Sequence, residues 1–144
     1  MSAESKVYIS RKFNCSKKEL FRWLMQPDLL VKWFGPQKMQ AKNVTVDFRI
    51  GGKYSIELLR DDGTSFFVEG EYAEIEEPEK IAFTMYYVGY PLAAPKSLVN
   101  MKLEEENNMT LLTFTQSFET VPADMGKRTA AWEYMFEKLA SNLE

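Results

Sequence analysis

A polar group that orients a small molecule has to sit among apolar neighbours, and few residues of this chain combine the two. The sharpest local pattern is Asp47-x-Arg49-x-Gly51-Gly52. In a strand, residues two apart share a face, so Asp47 and Arg49 can pair beside a glycine turn. Arg49 is then either an anchor for an anionic ligand group or part of a clamp that fixes the hairpin. Backbone geometry alone explains the glycines, which favours the clamp. The other polar candidates lie in alternating runs: Tyr54 with Ile56 and Leu58, Tyr72 with Phe66 and Val68, Tyr87 with Phe83 and Met85, and Gln116 with Leu112 and Phe114. A few hydroxyls and one amide spread over an apolar wall are the usual make-up of a small-molecule site. Which face of each strand turns inward depends on register, and the sequence leaves that open.

Other chemistry is excluded by what the chain lacks. There is no histidine among 144 residues, which removes Ser-His and Cys-His nucleophiles, imidazole proton shuttles and histidine zinc sites. The acidic groups Glu69/Glu71, Glu76/Glu77 and Glu104 to Glu106 lie on neighbouring strand or turn positions. A metal or acid–base pair needs carboxylates converging from different elements, so these read as solvated. Cys15 is the only cysteine; it precedes a helix cap and is a poor nucleophile candidate without a base. No catalytic residue, cofactor or metal is therefore expected. The formal net charge of -3 and the absence of a basic run argue against nucleic acid and anionic membranes. Lys17-Lys18 and Lys127-Arg128 read as solvated helix faces. The polar N-terminus has no signal-peptide core, and no apolar run approaches a membrane span, so the cytoplasm is the default expectation.

These candidates need elements to hold them. Lys6 to Phe13 alternates and predicts a strand. Ser16 and Glu19 have capping-box spacing, the hydroxyl accepting from the Glu19 amide and the carboxylate reaching back to the Ser16 amide. Leu20, Phe21 and Leu24 give that helix its apolar face. Pro27-Asp28 starts a second short helix with Leu29, Leu30, Trp33 and Phe34 as buried candidates, stopped by Gly35-Pro36. Trp33 and Phe34 either gate a cavity mouth or cap the core. Six strands then follow: Lys42 to Phe48, Lys53 to Arg60, Thr64 to Ile75, Lys80 to Val88, Ser97 to Glu104 and Met109 to Phe118. Their short connections are antiparallel, with Asp62-Gly63 marking a tight hairpin and Asn107-Asn108 a polar turn. From Met125 to Leu143 the period changes, and Trp132, Met135, Phe136 and Leu139 form one helical face. An antiparallel sheet with one apolar face needs a cover, and only this last helix is long enough. Wrapping the sheet around it leaves space at one end, near the short helices and the strand-connecting loops.

This order of elements resembles a known family. Trp33-Phe34-Gly35-Pro36, the run Asp47 to Tyr54, Gly70-Glu71-Tyr72 with Glu74-Ile75 and Pro78, and Trp132 on the last helix are similar to the activator-of-Hsp90-ATPase homologue family of the START/Bet v 1-like (SRPBCC) superfamily. The resemblance runs from about Val7 to Leu143 and implies one domain over 1–144 with an α+β helix-grip fold: a curved antiparallel sheet around a long C-terminal helix, with two short helices after the first strand. Two features depart from it. Ala131-Trp132 stands where the family often has Gly-Trp, and Tyr86 to Pro95 is unusually rich in Tyr, Pro and Ala.

The resemblance also implies a cavity between the last helix and the sheet, holding an apolar or amphipathic small molecule. Its candidate lining is Trp33, Phe34, Arg49, Tyr54, Ile56, Tyr72, Phe83, Met85, Tyr87, Phe114, Gln116, Trp132, Met135, Phe136 and Leu139. Two other roles come with the relatives: a protein-interaction or co-chaperone-like module, and a polyketide cyclase- or dehydrase-like enzyme. In the Hsp90 activator a separate chaperone-binding domain precedes this one. The chain leaves no room for it, so Hsp90 is not the expected partner. A homodimer is left open. Catalysis would need a convergent polar cluster, such as Arg49 or Gln116 beside a tyrosine.

Overall fold

The alternation in Lys6 to Phe13 becomes strand β1, with Val7, Ile9 and Phe13 buried. In the computed structural model, which describes residues 6–89 and 95–143, Ser16 then caps α1 (Lys17–Met25), its Oγ accepting from the Glu19 amide at 3.1 Å. The other half of the expected capping box does not form. The Glu19 carboxylate turns forward to Trp23 Nε1 (3.1 Å) and to Arg22, and Glu105 from a distant strand end takes the Lys17 amide instead. Helix ends leave amides without intrahelical partners, and a tertiary carboxylate satisfies one as well as a local one does. Helix α2 (Pro27–Trp33) follows with proline in its first turn.

Six strands come next: β2 (Met39–Val46), β3 (Lys53–Arg60), β4 (Ser65–Glu76), β5 (Lys80–Val88), β6 (Ser97–Glu106) and β7 (Met109–Phe118). They form one antiparallel sheet in the order β1-β7-β6-β5-β4-β3-β2. β3, β5 and β7 have the bounds read from sequence, and β6 runs on to Glu106. β2 differs most, starting at Met39 and ending before Phe48. Its register shifts between Lys42 and Thr45, where Asn43 takes a positive φ of 51°; that irregularity breaks the alternation a strand is read from. The Asp62-Gly63 hairpin closes as expected, with Gly63 at φ 90° and Asp62 Oδ1 accepting from the Thr64 amide at 2.9 Å.

Helix α3 (Met125–Asn142) covers the sheet. Its 18 residues make it about 27 Å long at 1.5 Å per residue. Trp132, Met135, Phe136 and Leu139 are its buried face. Phe136 meets Phe13, Phe114 and Trp33 at ring centroid distances of 6.2, 5.4 and 6.0 Å. That contact ties first strand, last strand, second helix and third helix into one core. Register also settles the open question of facing. Tyr54, Ile56 and Leu58, with Phe66, Val68 and Tyr72 and with Leu112, Phe114 and Gln116, all point inward and are buried. No described helix is long and apolar enough to cross a membrane.

Candidate functional site

Gly70 and Tyr54 face each other across β3 and β4. A Cβ on Gly70 would stand 2.8 Å from Tyr54 Cε2 and 1.8 Å from the Thr84 carbonyl oxygen. The glycine thus lets the Tyr54 ring cross β4, and its hydroxyl donates to the Thr84 carbonyl on β5 at 2.8 Å. Tyr54 is therefore a lock across three strands. Burial pushes the hydroxyl well above its usual pKa, so it stays a neutral donor. Burial likewise raises Tyr72.

The Asp47–Gly52 segment is a turn with its own bonding. Gly52 N–H donates to the Arg49 carbonyl, Arg49 N–H to the Asp47 carbonyl, and Gly51 N–H to the Tyr72 carbonyl. A Cβ on Gly52 would lie 2.0 Å from the Asp47 oxygen. Arg49 Nε donates to Asp47 Oδ2 at 3.0 Å, with its side chain 70 % exposed. Arg49 lies outside the cavities described next; its place is the clamp.

Two voids lie between α3 and the sheet. The larger, about 210 Å³, sits beneath the N-terminal half of α3. Leu58, Phe66, Val68, Met85 and Tyr87 form its sheet wall, Ala131, Trp132 and Met135 its helix wall, and Phe34, Pro36 and Met39 one end; Asp124, Lys127 and Arg128 complete the lining. The smaller, about 20 Å³, lies deeper, among Leu24, Leu30, Trp33, Tyr54, Ile56, Tyr72, Phe83 and Met101. At that size it holds no more than a water. Phe34 and Trp132 line both voids and meet edge to face at 5.8 Å, making the partition between them.

The expected lining thus divides. Phe34, Met85, Tyr87, Gln116, Trp132 and Met135 line the large cavity. Trp33, Tyr54, Ile56, Tyr72 and Phe83 line only the small void among the two inside the grip. Phe114, Phe136 and Leu139 are solid core at 0 % exposure. Sequence reasoning did not name Leu58, Phe66, Val68 or Ala131 as lining, and it read Arg128 as part of a solvated helix face. Instead, the Arg128 side chain is 14 % exposed and paired with Asp124. Helical spacing places a residue on a flank but not beneath the strand side chains that cover it.

Gln116 is the one buried amide at the cavity among the described residues. Its Oε1 accepts from Trp132 Nε1 at 2.9 Å, and its Nε2 donates to Ser97 Oγ at 2.9 Å. Ser97 Oγ in turn donates to the Met85 carbonyl at 3.2 Å. This chain of bonds runs from α3 through β7 to β6 and β5, and it satisfies the amide at both ends. No group of three or more metal-ligating side chains occurs among the described residues. Residues 90–94, the centre of the Tyr86–Pro95 segment, lie outside the described residues.

Solved structures share this architecture. Protein CV1439 from Chromobacterium violaceum superposes with a TM-score of 0.87 at 22% identity, covering 97% of this chain and 98% of its own. The AHSA1 protein SPO3351 from Silicibacter pomeroyi gives 0.79 at 22% identity and 96% coverage of both chains. DynU16, a protein of the dynemicin biosynthetic locus, gives 0.77 at 19% identity over 96% of this chain and 47% of DynU16. No curated protein matches by sequence. The fold is therefore the Bet v 1-like helix grip. A family profile described as "Activator of Hsp90 ATPase homolog 1-like protein" matches residues 14–144, and the chain belongs to that family.

Proposed function

We propose that this protein is a binding protein for a small apolar or amphipathic molecule, held in the 210 Å³ cavity beneath the N-terminal half of α3. The carrying observation is the make-up of that space. Its walls are Leu58, Phe66, Val68, Met85, Trp132 and Met135, and the buried Gln116 amide is already bonded at both ends. A chamber walled mostly by apolar side chains, with its amide already bonded, favours burial of an apolar body over attack on a bond. The cytoplasm is the proposed compartment. The small molecule, and not nucleic acid or Hsp90, is the proposed partner. A cluster that would favour a cyclase-like reaction is not supported: Gln116 is committed to Ser97 and Trp132, and Arg49 to Asp47.

Native mass spectrometry of the purified protein, compared with the denatured spectrum, tests the reading. A discrete extra mass that disappears on denaturation is the expected result. A clean apo mass, together with no saturable binding of any alkyl or aromatic probe by calorimetry, overturns it.

A further inference from the structure

The rim of the cavity holds a guanidinium whose Nε alone is bonded among the described residues. Arg128 Nε donates to Asp124 Oδ1 at 2.9 Å. Its Cζ lies 5.3 Å from the Phe118 ring centroid and 5.8 Å from that of Tyr87. These rings and the Asp124 bond fix the guanidinium at the edge of the apolar chamber, while its Nη groups donate to no described residue. A guanidinium presents donors in a rigid fork that matches a carboxylate bidentately. Because Asp124 takes only the Nε edge, the Nη edge can receive a second carboxylate without displacing the first. Lys127 is another cation on the rim, against the single carboxylate of Asp124.

We propose that the molecule held in this cavity is an amphiphile with an anionic head, a carboxylate bound to the Nη edge of Arg128. Its apolar chain lies against Phe66, Val68, Met85 and Trp132. The proposal rests on the cavity being a ligand site. The apolar wall accepts a chain of any headgroup; Arg128 adds the discrimination. A neutral head leaves the forked donors unmatched, and a cationic one is repelled.

Calorimetric titration of hexanoate, octanoate and decanoate, each against the alcohol of the same length, tests the head separately from the chain. In the wild-type protein the best carboxylate binds about tenfold tighter than its alcohol, the scale of one charged hydrogen-bonded contact. Arg128→Gln brings that ratio to about one through loss of carboxylate affinity, whereas Arg128→Lys keeps part of the preference. A readout independent of the variants' folding is salt: the carboxylate weakens as ionic strength rises, and the alcohol does not. Equal affinities for the paired ligands in the wild type, or a ratio unchanged in Arg128→Gln, overturn the anionic head and leave the cavity reading standing. Binding of neither series overturns both.

Discussion

At Cys15, burial pushes the thiol up to about 11, and the Glu19 and Glu105 carboxylates add to the shift by opposing a thiolate. A thiol reacts as its thiolate, so a pKa of about 11 in place of the ordinary 9.0 leaves about 100-fold less reactive species at neutral pH. Alkylation by iodoacetamide at pH 7.5, followed by mass spectrometry, should therefore run far slower than for free cysteine. The rate should keep climbing through pH 10, where a free thiol has levelled off. A plateau below pH 9 would contradict the burial argument. The sequence already suggested an inert cysteine, because the residue before a helix cap is commonly packed. It did not show Glu105 arriving from β6, ninety positions along the chain. Gln116 was equally half-legible. Its alternation with Leu112 and Phe114 placed it on a mostly apolar face. Its partners, Ser97 and Trp132, come from a neighbouring strand and the covering helix, and no local pattern encodes that meeting.

Elements were legible wherever one period ran without interruption, and their junctions were not. Trp33-Phe34-Gly35-Pro36 was readable as a stop. The structure shows that it is also a clamp. The Gly35 amide donates to Met135 Sδ at 3.0 Å, and Lys138 Nζ donates to the Gly35 carbonyl at 2.9 Å, so α3 grips both sides of one residue. Burial lowers the Lys138 pKa, the cost of placing an ammonium there. Gly35 has φ 131°, and an added Cβ would stand 3.0 Å from the Met39 carbonyl oxygen. Gly35→Ala should cost about 1–3 kcal/mol through backbone strain, read as a lower urea midpoint with an unchanged slope. Because Phe34 precedes this residue in the cavity partition, the variant should also weaken ligand binding. An unchanged midpoint would mean that the chain relaxes here and that the clamp does not set where α2 ends.

For the molecule as a whole, the two voids ask why a chain with so many large rings keeps one space open and closes the other. Phe114, Phe136 and Leu139 fill the centre completely, and the deep void is only about 20 Å³. The 210 Å³ space lies beside it, under the same helix and against the same sheet. Walls around a void lose dispersion contacts, so an unused space of this size is a stability cost that a single larger side chain would reduce. Ala131 is the position at which to ask. It lines the cavity from α3 and is half-buried, and its side chain is a single methyl. Leucine is a good helix former and projects further into the space. Ala131→Leu should therefore keep or raise the melting temperature while abolishing the ligand adduct in the native mass spectrum. Phe136→Ala, in the filled centre, should cost about 3–5 kcal/mol. If instead Ala131→Leu destabilises by more than about 1 kcal/mol, the added side chain is overpacked and the space under α3 is not free to receive a ligand.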